Sequence, residues 1–181
     1  MKTIPALLSA SVVALALFGC AGIPRGLGPL ALVDAVDAQR YLGRWYEIAR
    51  FQHGFEKSIV GATAEYSLRG DGKIQVVNSG FKNTLDGPYS EVRAVAWVPD
   101  PRRTAALKVR FFGLFPADYL IFGLDKENYS WALVGEDSRG YLWFLSRTPQ
   151  VDDELFNRMK ELAAAQGFDM SLLYKVPQKA R

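Results

Sequence analysis

The chain holds one cysteine and one histidine in 181 residues. A lone thiol excludes an internal disulfide, a paired-thiol redox centre and a multi-cysteine zinc site. A lone imidazole, His53, excludes a two-histidine metal centre, and no Ser-His-Asp spacing surrounds it. Charge of either sign is scarce in excess: 22 Lys and Arg against 19 Asp and Glu leave +3. With no Lys/Arg cluster, that balance argues against a nucleic-acid partner. Internal repeats and low-complexity segments are also missing, and the apolar run from Ile4 to Phe18 is too short to span a bilayer comfortably. The hydrophobic content of 49% nevertheless suits one globular domain held together by packing.

The amino terminus reads separately. Met1, Lys2 and the apolar run to Phe18 have the charged start and short apolar middle of a secretory signal. Leu17-Phe18-Gly19-Cys20 looks like a bacterial lipobox, so residues 1–19 are expected to be a lipoprotein signal peptide and Cys20 the lipid-attachment site. Ala21 after the cysteine resembles the outer-membrane sorting pattern of Gram-negative lipoproteins. Residues 20–40 are expected to be a membrane tether and linker, Gly- and Pro-rich to Pro29, and residues 41–181 the folded domain.

Period-two alternation between turn signals predicts strands near 43–52, 60–69, 73–82, 89–98, 105–112, 118–125, 129–136 and 140–148. Short links such as Gly70-Asp71-Gly72 and Asp86-Gly87-Pro88 make consecutive strands antiparallel neighbours in an up-and-down meander. After Pro149 the period changes: Asp152, Asp153 and Glu154 open a helix with Leu155, Met159 and Leu162 on one face, and Gly167 stops it. Ser171 to Lys175 reads as a short extended piece. Eight strands either stack as a sandwich or close into a barrel wide enough for one small ligand.

Three segments carry a family resemblance. Gly43-Arg44-Trp45-Tyr46-Glu47-Ile48-Ala49-Arg50, Leu124-Asp125 before Tyr129, and Leu145-Ser146-Arg147-Thr148-Pro149 resemble, in order, the signature regions of the lipocalins. The likeness runs from about Tyr41 to Tyr174 and is nearest the bacterial outer-membrane lipoproteins of the Blc group, with apolipoprotein D more distant. It implies an all-β fold: an eight-stranded antiparallel up-and-down barrel with one C-terminal helix packed outside. Gly43 permits a tight turn into the first strand. Trp45 then plugs one end, and Arg147 is able to stack on the indole, so these three are expected to close the barrel.

With Trp45 inward, parity assigns Glu47, Ala49 and Phe51 of strand one to the interior. Ala64 and Tyr66, Val76 and Asn78, Ala94 and Ala96, and Leu107, Val109 and Phe111 follow on strands two to five. The resemblance adds Tyr119, Ile121, Ala132, Val134, Tyr141 and Trp143. Of these, Ala49, Phe51, Ala64, Tyr66, Val76, Asn78, Ala94, Leu107, Val109, Phe111, Tyr119, Ile121, Tyr141 and Trp143 form the expected ligand-binding set. The lining is apolar and aromatic, which suits a hydrocarbon chain better than a sugar or nucleotide. Trp131, Leu133, Leu142 and Phe144 make an apolar outer face for the helix to cover.

The resemblance implies an outer-membrane lipid-binding protein that carries fatty acids or lysophospholipids for envelope maintenance, without catalysis, cofactor or metal, and as a possible homodimer. His53 is expected at the open rim with no chemical role. Glu47 and Asn78 are candidates to fix a polar headgroup, Glu47 alternatively pairing with an Arg. Phe112, Leu114 and Phe115 are candidates for membrane contact or self-association. A lipid-modifying enzyme and a surface-interaction protein with a filled barrel are the competing readings.

Overall fold

A computed structural model describes residues 26–113 and 115–179; the leader read at 1–19, Cys20 and Leu114 lie outside the described residues. A single helical turn, α1 (Ala38–Tyr41), precedes the strands. Alternation then produces β1 (Gly43–Phe51), β2 (Ile59–Leu68), β3 (Ile74–Lys82), β4 (Tyr89–Trp97), β5 (Ala106–Phe111), β6 (Ala117–Leu124), β7 (Trp131–Gly135) and β8 (Leu142–Ser146). The helix α2 (Asp153–Ala165) and the short strand β9 (Leu173–Lys175) complete the fold. Each of the eight long strands pairs antiparallel with its sequence neighbour, and β1 meets both β8 and β2, so the sheet closes into a barrel.

The seam between β1 and β2 is joined in two ways. Near one end the strands pair directly, from Gly43 against Tyr66 to Tyr46 against Thr63. Farther along, β9 takes β2's place beside Ala49 to Phe51. The Val176 N–H donates to Ile48 O at 2.9 Å, Gly61 N–H donates to Pro177 O at 2.7 Å, and the Gln178 amide donates to Glu47 O and Ala62 O at 2.8 and 2.9 Å. A left-handed Gly61, at φ +59°, sits where β2 bulges against β3.

A second bulge corrects the expected lining. The β1–β8 ladder slips between Glu47 and Ala49, so Ile48 and Ala49 both face outward. Beyond the slip the parity of β1 inverts. Ala49 and Phe51, expected inside, belong to the cluster between barrel and helix, and Arg50 turns inward with no exposed surface.

The helix begins where the sequence places its acidic residues: the Asp152 carboxylate accepts the Leu155 N–H at 2.7 Å, with Asp153 and Glu154 in the first turn. It ends at Gly167, φ +89°, with Phe168 N–H donating to Ala163 O and Gly167 N–H to Ala164 O, the paired bonds of a Schellman motif. Met159 and Ala163 are buried against Leu133, Leu142 and Phe144. Leu162, expected in that contact, is 39% exposed; the buried stripe runs through Ala163 instead, whose short side chain lets the helix lie close to the sheet.

Residues read as linker also pack. Leu30 N–H donates to Asp137 Oδ1 at 2.8 Å, Val33 N–H to Ile121 O at 3.1 Å, and Val36 N–H to Thr104 Oγ1 at 2.8 Å. This segment runs from the β7–β8 loop to the loop before β5, with Leu30 in the helix-side cluster and Val33 and Val36 packed in the cluster that holds Trp45. Folded structure therefore begins near Leu30, ahead of Tyr41, because scattered apolar residues without a period still find a surface to cover.

Candidate functional site

One end of the barrel is shut. Trp45 has no exposed surface, and the Arg147 guanidinium lies 3.8 Å from its ring centroid. Arg147 also donates to three carbonyls, Arg40 O at 2.7 Å, Arg44 O at 2.8 Å and Tyr129 O at 3.2 Å, so it ties α1, β1 and the β6–β7 loop together. The Trp45 indole N–H donates to Tyr41 O at 2.8 Å. Gly43 has φ +89°, a left-handed conformation that side chains resist.

Above this floor the interior is apolar and tightly enclosed. Val76, Ala94, Ala96, Leu107, Val109, Ile121, Ala132, Val134 and Leu145 are buried in one cluster with Trp45. Toward the rim the inward residues Phe111 and Trp143 are only half-buried, as are Asn78, Tyr119 and Ala64, the last directly opposite Trp45. Asn78 shares the inward face of β3 with Val76 and stands opposite Ala64. Tyr141, just before β8, stacks on Trp143 at 5.8 Å. The interior thus passes from sealed to solvent-touched toward the rim formed by the β1–β2, β3–β4, β5–β6 and β7–β8 loops. Two further clefts are present, one beside Leu30, Lys108 and Asp118, the other beside Gln75, Arg93 and Arg110.

Polar groups inside are few and grouped. Tyr119 OH sits 2.8 Å from both Tyr41 OH and Tyr66 OH. Burial holds Tyr41 and Tyr119 well above the usual phenol range and pushes Tyr66 up to about 12, so all three stay neutral. Three hydroxyl protons serve two mutual bonds, which leaves one donor at an end of the chain.

The second group escaped the sequence reading except for Glu47. Arg50 donates to the Glu47 carboxylate at 2.5 Å and to the carbonyls of Glu56 at 2.6 Å and Ile59 at 2.8 Å. Burial raises the Glu47 carboxyl against the pull of Arg50. Burial, then the charge of Glu47, pushes Glu56 up to about 8. His53 stands at the rim, stacked between Phe55 at 5.8 Å and Tyr141 at 3.9 Å, and desolvation lowers its pKa. Among the described residues no group of three His, Cys, Asp or Glu side chains is placed to hold a metal ion.

The signal that would have exposed this corner is Arg50 itself: an arginine two residues from a strand's end must find a partner whichever face it takes. Ala49 and Phe51 do not join the interior cluster; Ala64, Tyr66, Val76, Ala94, Leu107, Val109, Phe111, Tyr119, Ile121 and Trp143 do, and Tyr141 stacks on His53 toward the rim. Phe112 and Phe115 are 76% and 90% exposed on the β5–β6 loop at the rim.

The chain matches a lipocalin-like domain over residues 36–178. It is 42% identical over 180 residues to the outer membrane lipoprotein Blc of Escherichia coli K12, covering 98% of each chain. It is 40% identical over 161 residues to the protein of the same name in Vibrio cholerae, covering 89% of this chain and 92% of that one. Among solved structures, insecticyanin from the tobacco hornworm Manduca sexta superposes with a TM-score of 0.68 at 18% identity, over 84% of this chain and 86% of that one. A closed meander, an indole floor under a guanidinium, an outer helix and these matches converge: the chain belongs to the lipocalin family.

Proposed function

We propose that this protein is an acylated outer-membrane lipoprotein that takes the hydrocarbon chain of a fatty acid or lysophospholipid into its barrel, for lipid storage or transport in envelope maintenance. The observation that carries this reading is the gradient inside the barrel: apolar walls buried in one cluster with Trp45, and half-buried Phe111 and Trp143 toward the rim. Each methylene moved from water into such a space contributes about 0.8 kcal/mol, so a chain of about ten offsets the several kcal/mol that association costs.

Anchoring at Cys20 is supported by the names of the relatives and by the path of the chain. Leu30 is fixed to Asp137 in a rim loop, and Leu27 lies against Gly167 nearby. The ten residues from Cys20 to Leu30 reach about 35 Å at most. A lipid surface holding Cys20 is therefore within reach of the barrel mouth, where Phe55, Phe112 and Phe115 are exposed. On this reading the mouth faces the membrane, and an acyl chain passes between bilayer and barrel with little exposure to water.

Carriage is favoured over catalysis because the rim imidazole is packed between rings, with its Nε2 buried and unpaired, and no nucleophile is hydrogen-bonded to it. The test is native mass spectrometry of the full chain extracted from its own membrane. A diacylglyceryl mass on Cys20 with a retained single-chain lipid supports the proposal; a lipid-free protein that also fails to take up both added palmitate and added lysophosphatidylethanolamine refutes it.

A further inference from the structure

One buried charge cluster serves neither the floor nor the acyl chain. The bulge in β1 turns Arg50 inward opposite Trp143 of β8, and its side chain has no exposed surface. Its Nε is buried without a hydrogen bond, and the nearest carboxylate oxygen, Glu56 Oε1 at 3.9 Å, is likewise buried and unpartnered. One guanidinium thus faces two carboxylates, and its terminal nitrogens are engaged by Glu47 and two backbone carbonyls.

Among the described residues no second cation forms an ion pair with either carboxylate. Trp143 lies close enough to Glu56 to hold its pKa down and begins a ladder of stacked rings through Tyr141, His53 and Phe55 that climbs to the rim. From β9 the Tyr174 ring lies 5.7 Å from the Arg50 guanidinium, and from β2 Tyr66 feels the Glu47 charge. His53 is driven toward its neutral form by burial and by Arg50.

We propose that Glu47, Arg50, Glu56 and Trp143 form a headgroup-selecting site that favours single-chain amphiphiles bearing an ammonium group and rejects those ending in a free carboxylate. The inference rests on the barrel being a lipid cup and deepens that reading. An entering carboxylate meets two acidic side chains and a guanidinium with three of its five N–H groups already engaged. An entering ammonium meets an orphaned carboxylate oxygen and an indole. The elevated Glu56 pKa fits this charge deficit: the ammonium takes the position of positive charge, and the Glu56 proton leaves to solvent.

The test uses the full-length chain carrying Cys20→Ser and three ten-carbon ligands below their micelle concentrations: decyltrimethylammonium, decanoate and monodecanoylglycerol. Isothermal titration calorimetry at pH 7.5 is expected to show the cation binding about tenfold more tightly than decanoate, with the neutral ligand between them. Glu47→Gln with Glu56→Gln is expected to shrink that gap to about twofold. High salt narrows the gap in the unsubstituted chain too, a measurement that stands if the double variant fails to fold. Decanoate binding as tightly as the cation, or a gap that survives the double substitution, overturns the headgroup site. Uptake of monodecanoylglycerol in that case leaves the cup intact; failure to bind any of the three refutes the cup and this site with it.

Discussion

Replacing Trp45 by alanine separates the floor of the barrel from its mouth. The indole is wholly buried, so truncation carries the large-to-small penalty of about 3–5 kcal/mol for an aromatic core residue. Two further losses overlap with that figure: the Arg147 contact at 3.8 Å, about 0.5–2 kcal/mol, and the hydrogen bond to Tyr41 O, about 1 kcal/mol. These contributions share one residue and do not add, so about 4 kcal/mol is the working magnitude. For a domain of this size each kcal/mol lowers Tm by about 2–4 °C, giving a fall of about 10 °C. The comparison is Trp143→Ala, which removes a half-buried indole from the upper wall. Circular dichroism melting and displacement of a fluorescent fatty acid are measured on both variants. Trp45→Ala is expected to lose mainly stability, and Trp143→Ala mainly affinity. An unchanged Tm for Trp45→Ala, or a greater affinity loss there than at Trp143, refutes the division between structural floor and ligand-facing wall.

Other outcomes follow from the charged corner and the rim. Glu56 titrates near 8 in the fold against an ordinary 4.5, so between those values the folded chain binds more protons than the unfolded one. Stability therefore falls as pH rises through that window, by at most about 1.4 kcal/mol per unit of pH. Urea denaturation of Glu56→Gln is expected to flatten the dependence; an identical slope in the variant would show that the proton resides elsewhere. Phe112→Ser with Phe115→Ser removes two exposed rings without touching the core, so Tm is expected to hold while binding to phosphatidylglycerol vesicles weakens several-fold. Undiminished vesicle binding would remove the rim from the membrane contact.

Much of this architecture can be read from residue order because long stretches of its ladders run without a slip. On β3, β4, β5 and β7 the inward residues Val76, Ala94, Ala96, Leu107, Val109, Ala132 and Val134 all follow simple parity. The rule fails after Ile48, where one extra residue inverts everything beyond it. Nothing in Glu47-Ile48-Ala49-Arg50 marks that slip: either face of β1 is covered, so hydrophobicity gives no preference, and Arg50 is buried either way. The same limit explains Leu162, because both three- and four-residue steps from Met159 stay on one helix face and only packing distance chooses Ala163. Glu56 was invisible for another reason. It lies in a loop, where no period exists, and only its distance to Arg50 reveals its part.

The stitch made by residues 173–178 between β1 and β2 has a kinetic consequence. Part of that junction depends on atoms more than 110 positions downstream of the strands they secure, so the cylinder cannot finish closing while that region is absent or unfolded. Such distant pairing makes the final step slow, and until it occurs the edges beside Arg50 lie open to water and to other chains. Cleavage or misplacement of those few residues would leave the floor intact yet split the side of the vessel next to its charged corner.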